Sequence, residues 1–152
     1  MVVCHDHGDS LDVHPRNKRP VGERLARLAL NKNYAYKKLV SEGPRVAGID
    51  IHEGYVRIAF RGLNGENHGL RTASGERIIG FEVAGKDGIF HPAEARIEGD
   101  FVLLTCPEVA EPAEVRYAWQ PFTRANLVNG AGLPVSTFKT RVSKRKEPWV
   151  YD

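Results

Sequence analysis

The octapeptide Gly-Asp-Ser-Leu-Asp-Val-His-Pro, residues 8–15, places a hydroxyl nucleophile close to an imidazole base. Ser10 and His14 are four residues apart, so one helical turn would bring their side chains together. Asp9 and Asp12 could each accept a hydrogen bond from the imidazole and hold its tautomer. The chemistry that such groups perform is ester hydrolysis through an acyl-serine intermediate.

The same residues argue against a self-contained Ser10–His14 pair. Pro15 disfavours a helical backbone at His14. A serine nucleophile of this kind usually stands at a strand-to-helix turn that supplies N–H donors to the oxyanion, and nothing before Ser10 has the pattern of a strand. The His-Pro pair ahead of a helix could instead place His14 at a loop tip, as a base that faces a site built elsewhere. These residues alone favour the simpler interpretation, a solvated N-terminal segment that is rich in histidine.

Histidine and cysteine near the N-terminus also allow a metal-site hypothesis, but their spacing matches no structural zinc pattern. We expect no metal and no cofactor. The residues concerned are Cys4, His5, His7, Asp9 and His14.

A helix is predicted after this loop. Apolar residues recur at helical spacing, Pro20 stands where a helix start tolerates it, and the pattern fades near residues 31–33. One helix cannot bury its own apolar stripe, so we expect the stripe to dock on another surface. The stripe consists of Val21, Leu25, Leu28 and Ala29.

Residues 42–141 have the pattern of short strands separated by turn residues, which indicates an antiparallel β-sandwich. Ile49 and Ile51 alternate with polar residues, Glu53-Gly54 forms a turn, and the alternation resumes after it. Further strands are predicted at residues 78–83, 93–97, 101–105 and 115–119. Alternation would place Val115, Tyr117 and Trp119 together on the core face.

Charge and length exclude some classes of function. The net charge of +3 comes largely from clusters at residues 16–19 and 144–146, which lack interleaved aromatic residues, so we expect no nucleic-acid partner. No apolar run is long enough to span a bilayer, and no membrane partner is expected. Cys4 and Cys106 do not make a disulfide framework. Residues 142–152 form a basic tail that carries Trp149.

Several segments, in order, resemble the C-terminal part of the sialate O-acetylesterase family of SGNH hydrolases. They are Gly8-Asp9, Asp12 to Lys18, Val21 to Ala26, Gly80 to Gly88, Phe90 to Ala93, Val115 to Trp119, Asn126 to Asn129 and Gly132 to Phe138.

The resemblance implies a fold that is mainly β: an antiparallel β-sandwich preceded by one amphipathic helix left over from an α/β hydrolase-type domain. Residues 1–41 would be the C-terminal remnant of the catalytic domain, residues 42–141 an accessory β-sandwich and residues 142–152 the tail. His14 aligns with the family's catalytic histidine and Asp12 with the acid beside it. The wider class usually places that acid three residues before the histidine, where this chain has Leu11.

The resemblance also implies a function, hydrolysis of O-acetyl esters on sialic acid or other sugars. The family's nucleophile serine belongs to a block that this chain does not contain, so we expect the isolated chain to be inactive. The substrate of the full-length family is an acetylated carbohydrate, and family members suggest a secreted or extracytoplasmic location. We also expect a homodimer through the N-terminal helix.

The competing hypothesis is a non-catalytic β-sandwich that binds carbohydrate or acts as a scaffold. Aromatic side chains that could stack on a sugar would carry this function if they are exposed. They are Tyr55, Tyr117, Trp119 and Trp149.

Overall fold

A computed structural model describes residues 1–12, 14, 16–63 and 69–141. Within the last range, residue 141 alone is described by its backbone only. In these ranges the regular structure consists of one helix and ten strands. They are α1 (Arg19–Lys32), β1 (Arg45–His52), β2 (Tyr55–Arg61), β3 (Leu70–Thr72), β4 (Phe81–Ala84), β5 (Phe90–Pro92), β6 (Glu94–Glu98), β7 (Phe101–Thr105), β8 (Glu114–Tyr117), β9 (Leu127–Asn129) and β10 (Phe138–Arg141).

Eight strands form two four-stranded antiparallel sheets, in the orders β1-β2-β7-β6 and β10-β8-β4-β5, and β3 pairs with β9. The two sheets bury their inner faces in one core, which contains Ile58 and Leu104 from the first sheet and Val83 and Val115 from the second. The predicted mainly β fold, a sandwich with a single helix before it, is confirmed. No described residues form a helix long and apolar enough to cross a bilayer.

The alternation of apolar and polar residues along the β1–β2 hairpin explains which face of the first sheet is buried. Val56, Ile58 and Phe60, which continue the predicted alternation after the turn, are buried, and Glu53-Gly54 connects β1 to β2 with Gly54 at a φ of +79°. A glycine takes this left-handed conformation without the steric cost that a side chain would bring. The helix is likewise confirmed near its predicted bounds, with Pro20 in its first turn.

The strand predicted at residues 78–83 begins only at Phe81. Gly80 has a φ of +105°, which interrupts the extended backbone. The side chain of Asn126 bonds to the backbone here instead: its Oδ1 accepts from Ile79 N at 3.0 Å and its Nδ2 donates to Arg77 O at 2.9 Å. A side-chain amide from a distant loop therefore satisfies backbone groups that a longer strand would have paired.

Candidate active site

A buried ion pair fixes the N-terminal segment to helix α1. Arg24 is 8% exposed, and its guanidinium donates to both oxygens of the Asp6 carboxylate at 2.6 Å and to Val3 O at 2.7 Å. Burial raises the pKa of Asp6, but the hydrogen bonds and charge of Arg24 outweigh it, so the pKa lies below its ordinary value of 3.8. Two parallel charge-assisted bonds define both distance and orientation. The pair therefore sets where the chain enters and leaves the loop that carries His14.

His5 ties the same segment to the sandwich. Its Nε2 lies 2.9 Å from Val135 O, and because a carbonyl can only accept, Nε2 carries the hydrogen. The ring meets Tyr117 edge to face, with 6.3 Å between the ring centroids. Tyr117 is itself fully buried, and its hydroxyl accepts from Leu127 N at 2.9 Å. The loop after His5 thus starts from a fixed point at the end of the sandwich where β1 begins.

His14 lies in the exposed loop between these two anchors. Its Nδ1 is 3.3 Å from Asp12 Oδ1, and the same oxygen accepts from the His14 backbone N–H at 2.8 Å. The side chains remain open, 82% exposed for His14 and 50% for Asp12. In serine hydrolases the acid contacts Nδ1 and leaves Nε2 to face the nucleophile. The structure therefore brings together the two predicted site residues in the arrangement that an orienting acid requires.

The nucleophile of such a site is not found beside His14. Ser10 is exposed, and the hydrogen bonds among the described residues include none between Ser10 and His14. No strand precedes Ser10 in residues 1–12, so the strand-to-helix turn that usually supplies oxyanion donors is not formed there. Leu11, at the position where the wider class keeps its acid, is 96% exposed.

Helix α1 docks only part of its predicted apolar stripe: Val21, Leu28 and Ala29 are half-buried, and polar side chains make its hydrogen bonds to the rest of the chain. Besides Arg24, Arg27 donates to Val40 O at 3.2 Å and Asn31 Nδ2 donates to Leu39 O at 2.9 Å. Leu25 in the predicted stripe is 51% exposed. The acceptors of residues 3–6 and 39–40 bind Arg24, Arg27 and Asn31, and the helix docked in this way leaves Leu25 exposed.

Trp119 was expected in the core and is instead 48% exposed. Strand β8 ends at Tyr117, and Ala118 has a φ of +52°, in the left-handed region. That turn breaks the alternation, so Tyr117 faces inward as predicted and Trp119 does not. Of the four aromatics considered as sugar platforms, Tyr117 is excluded by burial, and Trp149 lies outside the described residues.

Metal ligation finds no support in the described ranges, where no three His, Cys, Asp or Glu side chains stand close enough to hold an ion. His5 bonds to Val135 O, and His7 Nε2 lies 3.5 Å from Asp6 Oδ2. Sequence reasoning missed the Asp6–Arg24 pair. The sequence shows only an arginine beside the apolar stripe of the predicted helix. Nothing in that pattern identifies Asp6, 18 residues away, as its partner.

No family model matches the chain, and no curated protein does. Among solved structures it is similar to a carbohydrate acetylesterase from Xanthomonas citri, with 39% sequence identity and a TM-score of 0.81. The similarity covers 89% of this chain and 31% of that one, so the chain spans about a third of the length of the structure that it matches. This similarity supports a relationship to carbohydrate esterases.

Proposed function

We propose that this chain contributes the catalytic histidine loop and an accessory β-sandwich to a carbohydrate O-acetyl ester hydrolase of the SGNH type, resembling sialate O-acetylesterase. The observation that carries the proposal is the contact of Asp12 Oδ1 with His14 Nδ1 at 3.3 Å, on a loop held at both ends. The structural neighbour is a carbohydrate acetylesterase, which supports the same class of substrate, a sugar bearing acetyl groups.

In the proposed reaction, His14 Nε2 takes the proton from a serine hydroxyl as its oxygen attacks the acetyl carbonyl. The imidazolium then gives that proton to the sugar oxygen as the C–O bond breaks, which leaves an acetyl-serine. A water molecule, deprotonated by the same nitrogen, attacks the acetyl-serine; as the bond to the serine oxygen breaks, the imidazolium returns the proton to that oxygen and acetate is released. Asp12 acts at Nδ1 throughout, where it fixes the tautomer and stabilises the imidazolium.

The serine of this mechanism would lie outside these 152 residues. Among the described residues Ser10 makes no hydrogen bond to His14, and no strand-to-helix turn surrounds it to supply oxyanion donors. Leu25, the exposed residue of the α1 stripe, would face the part that carries the serine, so that residues 1–41 belong to the catalytic domain and residues 42–141 to the accessory sandwich. In the isolated chain the same surface would pair with a second copy.

A fluorophosphonate probe tests this assignment on the chain as it exists. The probe forms a covalent adduct with activated serines, and intact mass reports the stoichiometry. We expect no adduct on the isolated chain, because a base without its nucleophile and oxyanion donors supplies little acceleration. A stoichiometric adduct that disappears in both Ser10→Ala and His14→Ala would contradict the proposal, since Ser10 and His14 would then form a working pair.

The second candidate is a non-catalytic carbohydrate-binding or scaffolding sandwich. The exposure of Trp119 favours it, because an indole ring presented to solvent is a platform for a sugar. The two functions differ in the role of His14 once the chain is joined to a part that carries the serine: replacement of His14 abolishes hydrolysis in the first and changes nothing in the second.

A further inference from the structure

A cleft of about 920 Å³ opens at one end of the sandwich. The tip of the β1–β2 hairpin, residues 50–57, forms one wall, and the segment that links β7 to β8, residues 105–113, forms the other. Its floor contains the apolar residues Val56, Val83 and Leu104, which belong to the core. An apolar floor with polar groups around it is typical of small-molecule sites, and the volume lies in their range.

This cleft is at the opposite end of the sandwich from the N-terminal segment. His5 bonds to Val135, and the next residue, Ser136, donates its N–H to Pro44 O, immediately before β1 begins. The cleft lies where β1 ends, at His52. A strand of 8 residues is roughly 25 Å long, so the cleft is separate from the anchor of the His14 loop.

Two cross-strand pairs make the hairpin wall aromatic and polar. His52 stacks on Tyr55, with 4.7 Å between ring centroids and 13° between ring planes. In the second pair along the ladder, beyond Ile51 and Val56, Arg57 donates to Asp50 Oδ2 at 3.1 Å. His52 covers one face of the Tyr55 ring, and a ring has two.

Two nitrogen atoms of this wall are buried without a hydrogen-bond partner among the described residues. They are His52 Nε2 and Arg57 Nε. A buried polar atom left unpaired costs roughly 1–3 kcal/mol, and such atoms often mark the place of a ligand or an ordered water. Both belong to residues that line the cleft, but the atoms themselves are covered, so a ligand would bond to them only after the hairpin side chains shift.

Four of the five charged residues that line the cleft form two ion pairs, and the fifth, Glu53, is exposed at the tip of the hairpin. Arg57 pairs with Asp50, and at the rim Lys86 Nζ lies 3.6 Å from Glu111 Oε2. A strongly charged ligand would have to compete with these pairs, whereas a neutral molecule with many hydroxyl groups would not. A sugar has that chemistry, with C–H groups that pack on an aromatic face and hydroxyls that bond to the groups around it.

The opposite wall is held in place before any ligand binds. Val109 N donates to Cys106 O at 3.0 Å, and Ala113 N donates to Ala84 O at 2.8 Å. These bonds fix the link between the two sheets at both of its ends. A preorganised wall reduces the entropy lost on binding.

We propose that this cleft, between the His52–Tyr55 pair and residues 105–113, is a binding site for a neutral saccharide, distinct from the site of His14. The choice of a saccharide rests on the proposed function, in which the substrate is a carbohydrate. The cleft would hold a part of the chain of sugars remote from the acetyl group that is removed.

The test is titration of the isotope-labelled chain with xylohexaose, cellohexaose and maltohexaose, followed through its backbone amide resonances. We expect saturable shifts confined to residues 50–57 and 104–113. Tyr55→Ala should weaken binding about tenfold or more, whereas Tyr55→Phe keeps the ring and should bind as the wild type does. Phe122→Ala removes an exposed aromatic side chain outside the cleft and should leave the affinity unchanged.

A second variant, Ala110→Trp, blocks the cleft from an exposed position and keeps the hairpin intact, so it tests the site even if Tyr55→Ala loses stability. The proposal is overturned if none of the three saccharides shifts the cleft resonances at up to about 10 mM, a concentration at which even a weak site would be occupied. It is also overturned if the shifts centre on Trp119 and disappear in Trp119→Ala. Saccharide binding does not require esterase activity. If a saccharide binds in the cleft and His14 proves dispensable for hydrolysis, the proposed function is refuted and the proposed binding site is retained.

Discussion

Replacement of Arg24 by methionine tests whether the ion pair with Asp6 positions the histidine loop. Methionine retains much of the apolar stem and removes three hydrogen bonds of 2.6–2.7 Å. Loss of one partner of a fully buried pair costs about 3–5 kcal/mol. The Asp6 side chain is 22% exposed, so water would hydrate part of the abandoned carboxylate. We therefore expect a smaller cost of about 2–3 kcal/mol.

That free energy acts on residues 1–18, since the sandwich core makes no use of Arg24. Amide hydrogen exchange should therefore become roughly 30- to 150-fold faster for the protected amides of the N-terminal segment. His7 N, which donates to Cys4 O at 3.1 Å, is the probe to follow. Exchange in β2 and β7 should not change.

The matched control is Arg19→Met, in the same helix. Arg19 pairs with Glu23 at 2.6 Å, but its side chain is 84% exposed, so its removal should leave exchange as it was. The reasoning is refuted if Arg24→Met exchanges like Arg19→Met. It is equally refuted if Arg24→Met accelerates exchange throughout the sandwich, because the pair would then support the whole fold.

Three further predictions follow from named contacts. Tyr117→Phe leaves Leu127 N buried without an acceptor, so urea unfolding should report a loss of about 1–3 kcal/mol, while Tyr34→Phe at an exposed ring has no effect. Leu25→Asp should turn a dimer into a monomer in sedimentation velocity if the α1 stripe pairs two copies; a monomeric wild type would contradict that pairing. Because the pKa of Asp6 is lowered on folding, its stabilisation is complete above about pH 4 and is lost as the pH falls through the lowered value; N-terminal exchange should speed up there in the wild type and not in Asp6→Asn.

Patterns within a few residues predicted the fold well. Alternation over Ile49 to Phe60, with a glycine turn between, identified the first hairpin and its core face, because side-chain direction in a strand is fixed by its period of two. The same rule misplaced Trp119, since a single left-handed residue, Ala118, reverses the direction and alanine gives no local signal for it.

The candidate site was predictable in part. The contact of Asp12 with His14 is local and follows from their spacing, whereas the Asp6–Arg24 pair depends on how the N-terminal segment returns to the helix. The cleft brings residues 50–57 next to residues 105–113, which are about 50 positions apart in the chain. The two segments are brought together by the pairing of β2 with β7. No pattern inside either segment predicts this pairing.

The central claim is that His14 is the catalytic base of a carbohydrate esterase whose serine lies outside these residues. The most direct measurement replaces the matching segment of the Xanthomonas citri acetylesterase by this chain and follows acetate release from an acetylated sugar. We predict an active chimera that loses activity about 10³-fold or more in His14→Ala and less in Asp12→Asn, while circular dichroism shows all three equally folded. A folded chimera whose acetate release is the same with and without the His14 imidazole would contradict the account.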